Sequence, residues 1–294
     1  MINDITLEHG ENQHQNAHFE NHSDMIDYEV SGNLTYSEIS TIAKGLNLIS
    51  EFYDVKAACS IKGNCFGAVA LGQSSADAVQ KILDSNPIDF ISSIIILSSE
   101  ADSETVKFFK DSNIVVATNF TNNAIEILNN HNVRYVTIKT PLKNYKKYLP
   151  EDIRITPLGT LIQSPNLSEL EKDNFKVVSK QKPTVEQIED AVFAWKVAKH
   201  VASQAVVLAK DLKTSAISQG LQSASTEFAL NYSCERSKDS ILASDMPLTE
   251  HDINVASQGR VGLIVIPEAG KEIITLADKY NICLITTAIT NICY

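Results

Sequence analysis

Short apolar runs alternate with amphipathic stretches along most of the chain, and that alternation limits the fold more than any other feature. Val55–Ile61, Phe90–Leu97, Ile114–Ala117 and Val133–Ile138 are apolar with little internal alternation, the pattern of strands covered on both faces. Between them, Ser74–Leu83 places Ala78, Val79, Ile82 and Leu83 on one helical stripe, with Ser74 or Ser75 positioned to cap it. Glu104–Phe109 and Asn123–Leu128 read as shorter helices. A polar connector over 139–182, with Lys139, Lys143, Lys146, Lys147, Pro141 and Pro150, interrupts the pattern, and Thr160–Ile162 adds an edge strand within it. The pattern then restarts. Thr184 and Gln187 fit a capping box behind Pro183, and Ile188, Ala191, Val192, Trp195, Ala198 and Val201 line one helix face. Ala205–Ala209, Gly262–Ile266 and Cys283–Thr286 read as strands; Glu227–Tyr232, Glu250–Ser257 and Lys271–Asp278 read as helices. Strands alternating with helices imply an α/β fold with helices on both sheet faces and some parallel pairing. The expected organisation is two lobes of similar grammar, 1–172 with the connector and 173–294, without a repeat at the level of residue identity.

Composition narrows the function. The 294 residues suffice for two domains, and 44% hydrophobic against 21% charged residues supports a sizeable core. Lys and Arg total 25 against 36 Asp and Glu, a net charge of −11, which disfavours gripping nucleic acid or anionic lipid through the overall field. A local basic pocket for a phosphate stays open. Met1–Gln15 is polar, without a basic stretch followed by an apolar one, and no apolar run approaches the roughly 20 residues of a membrane span. Cys59, Cys65, Cys234, Cys283 and Cys293 are scattered with no Cys-x-x-Cys pair, which fits free thiols in a reducing cytoplasm.

Residues 175–211, FKVVSKQKPTVEQIEDAVFAWKVAKHVASQAVVLAKD, closely resemble the middle of the AICAR transformylase domain of the bifunctional AICAR transformylase/IMP cyclohydrolase family. Gly10–Gln15 is similar to that family's opening RYGENPHQ, and Glu104–Phe109 with Phe120–Leu128 matches in register. Ala243–Asp245 resembles the start of ASDAFFPF, and Val261–Thr286 resembles the last strand-helix-strand. The resemblance implies two cytidine-deaminase-like three-layer α/β/α lobes and an intertwined homodimer. It implies formyl transfer from 10-formyltetrahydrofolate, as co-substrate, to the amino group of AICAR, with no metal. The cyclohydrolase domain has no counterpart in these residues, so IMP cyclisation is not expected.

The motifs depart from the family mainly in the loops. Glu8 and His9 stand where the family has Arg-Tyr, which reverses the charge facing a phosphate. The KHTNPCG motif reads Lys62-Gly63-Asn64-Cys65-Phe66-Gly67, keeping the lysine without the histidine. SAFGG reads Asp89-Phe90-Ile91-Ser92-Ser93, the SNAIV asparagine is Gln204, and the arginine of GIGAGQMSR is absent from Ala216–Ala224. IQPGGSIRD shortens to Ile266–Lys271, and the terminal FTxxRHFRH reads Thr286–Tyr294 without its arginines and histidines. Lys62, Asn64, Gly67, Lys199, Ser203, Lys210 and Asp245 are kept.

Carried over residue by residue, the resemblance implies Lys62 and Asn64 as catalytic, and Asp245, Gln204, Lys199 and Gly67 as substrate- or cofactor-binding. A ligand is expected beside Lys62, Asn64 and Asp245, outside the strand ends. Three readings stay open: formyl transfer to a small amine other than AICAR, a non-catalytic binding or regulatory dimer, and residual AICAR formylation. Each residue also has a plain alternative. Lys62 is then a solvated strand end, Asp245 a turn cap before Pro247, Cys65 a buried inert thiol and His200 a packed structural histidine. His14, His18 and His22 would stack for a metal only on a helix, and their segment reads as extended.

Overall fold

The computed structural model describes residues 3–22, 24–110, 113–170 and 174–293. Its first half contains β1 (Asn3–Leu7), β2 (Ala17–Asn21), β3 (Tyr28–Val30), α1 (Tyr36–Ile49), β4 (Lys56–Lys62), β5 (Cys65–Gly72), α2 (Ser75–Ser85), α3 (Pro87–Phe90), β6 (Ile94–Leu97), α4 (Ser103–Val106), β7 (Ile114–Ala117), α5 (Asn122–Asn130) and β8 (Arg134–Ile138). The connector carries β9 (Asp152–Thr156) and β10 (Gly159–Gln163). Then follow β11 (Lys176–Val177), α6 (Val185–Ala198), β12 (Val206–Lys210), β13 (Lys213–Ser218), α7 (Gln222–Ser233), β14 (Ile241–Ser244), α8 (Glu250–Gln258), β15 (Leu263–Ile266), α9 (Lys271–Lys279) and β16 (Cys283–Thr286). Capping boxes Thr35/Glu38, Thr184/Gln187 and Thr249/Asp252 start α1, α6 and α8, each satisfying amides that a helix start leaves open.

One 12-stranded sheet organises these elements. Outward from its middle, one side runs β5, β4, β6, β7, β8, β3, and the other runs β13, β12, β14, β15, β16, β11. The order is the same on both sides. β6–β8 and β14–β16 pair in parallel, and each set abuts an antiparallel hairpin. The α/β expectation holds, and the repeat absent from residue identity is present in topology. The expected edge strand at Thr160–Ile162 forms, but as part of β10, which among the described residues pairs with β9 in a hairpin outside the main sheet. The expected lobe boundary at 172/173 falls outside the described residues.

β5 and β13 meet antiparallel at the seam, so the two halves run in opposite directions. The β4–β5 turn therefore lies at the same sheet edge as the carboxyl ends of β14–β16. The β12–β13 turn lies at the other edge, with the carboxyl ends of β6–β8. Both turns place two consecutive residues at positive φ, Gly63 and Asn64 in one, Asp211 and Leu212 in the other. Thr214 stitches the seam: its hydroxyl accepts from Val69 N at 3.0 Å and donates to Val69 O at 3.2 Å.

On one face, α1 and α6 cover a core continuous across both halves, from Ile42, Leu46 and Ile96 to Phe193, Trp195 and Val207. On the other face the halves keep separate cores, one with Val79, Ile82 and Leu128, the other with Leu230, Ile253 and Ala277. Among the described residues no helix is long and apolar enough to cross a membrane.

Candidate functional site

The shortened Lys62–Gly67 stretch folds as a two-residue hairpin turn. Gly63 and Asn64 have φ of 52° and 62°, the left-handed pair that matches strand twist and favours Gly and Asn. Lys62 ends β4 exposed, and among the described residues its ammonium has no hydrogen-bond or ion-pair partner. Asn64 is turned back onto α1, where Nδ2 donates to Ser40 Oγ at 3.2 Å.

Lys62 stands between two cavities. The one of about 150 Å³ is lined by Glu38, Thr41, Ser92 and Arg134. There Arg134 is committed to Glu38, with contacts of 3.0 and 2.5 Å. Burial works against the Glu38 charge, but the Arg134 hydrogen bond and charge outweigh it and hold the carboxyl below its usual range.

The second cavity, of about 160 Å³, is lined by Ser60, Lys62, Cys65, Gly67, Asp89 and Ser93. Gly67 creates the space. A Cβ there would sit 2.9 Å from Ser60 Oγ, 3.5 Å from Asp89 Cβ and 3.6 Å from Asn86 Nδ2. Ser60 is fully buried and its hydroxyl has no partner. Asp89 Oδ2 accepts from Asn86 Nδ2 at 2.8 Å, while Oδ1 is unpaired among the described residues. Gln219 Nε2 lies 3.3 Å from Cys65 Sγ and brings the second half to the rim. The reading of Cys65 as a buried thiol is corrected: it opens β5 directly after the turn and is exposed. Ser93 donates to Phe90 O at 2.8 Å and is not a free hydroxyl.

A buried hydroxyl without a partner costs about 1–3 kcal/mol. Ser60→Ala should therefore raise unliganded stability, by about 1 kcal/mol in urea unfolding. A loss of stability would show that the hydroxyl is satisfied after all.

The six expected site residues are not gathered in one place. Lys62, Asn64 and Gly67 share the β4–β5 hairpin. Asp245 lies at the same sheet edge, but four strand positions away, about 19 Å at ~4.8 Å per strand. It is fully buried, with Ser203 Oγ on one carboxylate oxygen and Ala205 N at 2.7 Å on the other. Burial raises its pKa, partly offset by the Ser203 hydrogen bond. The arrangement pins the bend between α6 and β12. Gln204 lies in that bend, half-buried, its backbone N donating to Gly220 O at 3.1 Å.

Lys199 belongs to a different cluster. Its ammonium donates to Glu51 Oε1 at 2.8 Å and to Ser168 O at 2.6 Å. Lys146 Nζ lies 3.2 Å from Glu51 Oε2, and His200 Nε2 lies 3.3 Å from Oε1. Burial opposes the Glu51 charge, but the His200 hydrogen bond and the charges of His200 and Lys199 hold its carboxyl far below the usual range. Burial pushes His200 below its ordinary 6.5, against the pull of Glu51. The early histidines lie on the β1–β2 hairpin rather than on a helix, with His18 and His22 at 3.3 and 3.6 Å from Glu20. Among the described residues no His, Cys, Asp and Glu group is arranged to hold a metal.

Sequence reasoning missed Ser60 and the outward role of Asp89. The available signal was a serine inside the apolar run VKAACSI with a glycine on the strand that folds back against it.

Comparison with known proteins decides the family. A family model described as the AICARFT/IMPCHase bienzyme matches residues 2–231. The chain belongs to that family. The bifunctional purine biosynthesis protein PurH of Caldicellulosiruptor saccharolyticus is 31% identical over 96% of this chain. Those of Anoxybacillus flavithermus and Dictyostelium discoideum are 28% and 30% identical, each over 97% of this chain. The chain spans 58%, 58% and 56% of the lengths of these three relatives.

Proposed function

We infer that the chain transfers a formyl group from 10-formyltetrahydrofolate to the amino nitrogen of a small acceptor other than AICAR. The match to the AICARFT/IMPCHase family over residues 2–231 carries the formyl-transfer part of this reading; the different acceptor rests on the loop motifs in which this chain departs from that family. In the transfer, the acceptor nitrogen attacks the formyl carbon, a C–N bond forms, and the bond from that carbon to folate N10 breaks. The acceptor nitrogen gives up a proton and N10 gains one. The unpaired Lys62 ammonium supplies positive charge where the formyl oxygen becomes negative, and the turn at Gly63 and Asn64 fixes its position. Asp89, in the turn that resembles SAFGG and on the wall of the cavity beside Lys62, favours an acceptor without a phosphate. The test is an assay with 10-formyltetrahydrofolate and a panel of amines that includes AICAR. The expected result is turnover of a non-nucleotide amine that falls about 10²-fold in Lys62→Ala. Efficient AICAR turnover would overturn the acceptor assignment. Absence of both folate binding and turnover would leave the second reading, a non-catalytic binding dimer, which the commitment of Asp245 and Lys199 to internal contacts favours.

The same reading includes two deaminase-like lobes and a homodimer. β9 and β10 expose Ile153, Ile155, Leu158, Leu161 and Ile162, with Leu158 fully exposed at the tip. An isolated two-stranded hairpin is marginal in water, and an exposed apolar patch marks an interface. An apolar groove of about 280 Å³ beneath β1–β2, lined by Phe19, Met25, Tyr28, Leu46 and Tyr148, offers a complementary surface on a second copy. Sedimentation should show a dimer at micromolar concentration and a monomer for the Ile155→Asp/Leu158→Asp variant. A variant that stays dimeric would place the interface elsewhere.

A further inference from the structure

Three unmet groups face the Gly67 cavity: the buried Ser60 hydroxyl, Asp89 Oδ1 and the Lys62 ammonium. They differ in charge, and that difference selects a ligand. A purely anionic ligand would bring negative charge to Asp89, and a purely cationic one would bring positive charge to Lys62. A molecule with an ammonium at one end and a carboxylate at the other meets both groups. The Ser60 hydroxyl can accept from the ammonium or donate to the carboxylate. The cavity of about 160 Å³ has room for a small amino acid, at roughly 30 Å³ per water displaced.

We propose that this cavity binds a small amino acid as the zwitterion, its ammonium on Asp89 and Ser60 and its carboxylate on Lys62. The inference rests on the formyl-transfer reading for what the bound amine does, and it names the acceptor class at that site: the ammonium first gives one proton to the Asp89 carboxylate, and the free amine then attacks the formyl carbon and gives up its second proton as N10 leaves and gains one. Lys62 carries three N–H donors, so holding a carboxylate leaves a donor for the formyl oxygen. Gly67 keeps the space open, and Ser60 accepts poor burial in the empty protein in exchange for a bond to the ligand. Stability is then given up for binding at that one position.

The experiment titrates the full chain, without folate, with glycine, β-alanine and 4-aminobutyrate, using ethylammonium and butyrate as single-charge controls. Calorimetry and amide chemical shifts read the binding. At least one zwitterion should bind tighter than both controls, with shifts at Ser60, Lys62, Gly67 and Asp89. Asp89→Asn, Lys62→Met and Gly67→Ala should each weaken binding about 10-fold or more. Ser60→Ala should weaken it too while raising the melting temperature of the unliganded protein, a pair of effects that plain damage to the fold does not produce. No zwitterion binding at about 10 mM, or binding unchanged in Asp89→Asn and Lys62→Met, overturns the inference. The two readings separate cleanly. Zwitterion binding without formyl transfer sustains this site and removes the transferase reading. Formylation of an uncharged amine, indifferent to these variants, sustains the transferase reading and removes this site.

Discussion

Gly72→Ala should leave little folded protein. Gly72 closes β5, and the first turn of α2 lies directly on it. An added Cβ would run into the backbone N of Ala78, and would sit 2.8 Å from Ser74 O and 2.9 Å from Ala78 Cα. None of these atoms is the tip of a flexible side chain, so α2 itself must move. That start is fixed by Ser74, which caps the helix through Asp77 N at 3.1 Å, and by Ala78, Val79 and Ile82 packed in the core below. Overpacking that side chains can absorb costs about 1–3 kcal/mol, and displacing a capped helix belongs at or above the top of that range. Against a total stability of about 5–15 kcal/mol, the expected result is a large loss of soluble protein and a sharply lowered urea midpoint. Stability within about 0.5 kcal/mol of the parent would show that α2 slides freely on the sheet.

Glu51→Gln should cost about 3–5 kcal/mol in urea unfolding, because it leaves the buried Lys199 without its counter-charge, while Lys146 keeps Glu169 at 3.1 Å. Lys199 is only 7% exposed and has little access to water. Adding Lys199→Met to Glu51→Gln should recover part of the loss, since a buried charge without a partner costs more than an apolar side chain. A loss below about 1 kcal/mol for Glu51→Gln would show that water reaches the cluster. The pH dependence follows from the same contacts. His200 titrates below 6.5 in the folded chain, so the unfolded chain takes up a proton that the native state refuses, and stability falls as pH drops through 6.5. Glu51 ionises below its ordinary 4.5, so its contribution is present above that pH and is lost as pH falls below it. Both effects have the same sign. Glu51→Gln should remove the part of the acid limb below about 4.5 that Glu51 supplies.

β7, β8, β15 and β16 and the helices beside them were legible in the sequence because their burial is simple; β3, β11, β14 and α1 were not read from it. Ile114–Ala117 and Cys283–Thr286 coincide with β7 and β16, and the Thr184 capping box starts α6 as expected. The strands at the middle of the sheet were not legible. β5 carries Gly67 and Gly72, and β13 reads Lys-Thr-Ser-Ala-Ile-Ser, so neither looks like a buried strand. The polarity of β13 has a local cause: Thr214 hydrogen-bonds across the seam to Val69 instead of packing as a hydrocarbon. Phe90 looked like the start of β6 but ends α3, because Asn86 caps that short turn and Ser92 reverses the chain at positive φ. The site was legible only as a loop. That Lys62 stands unpaired, while Lys199 and Asp245 are enclosed by neighbours distant in sequence, depends on tertiary contacts that spacing does not encode.

The antiparallel seam between β5 and β13 is the contact that a true twofold axis makes between two copies of one strand. Two separate chains, each a single half, would build the same sheet as a symmetric pair. In that pair, Lys62 and Lys210 would be one residue seen twice, each closing a hairpin beside its own hollow. The hollow next to Lys210, about 400 Å³ and bordered by Lys213, Arg236 and Lys238, still faces the opposite sheet edge. Within one chain the two turns need not be identical. One is Gly-Asn beside Ser60 and Asp89; the other is Asp-Leu, held by the Asp190 carboxylate at 3.0 and 2.7 Å. A single chain with this near-symmetric sheet thus holds two independent hollows in place of an identical pair, each free to differ in the ligand it takes.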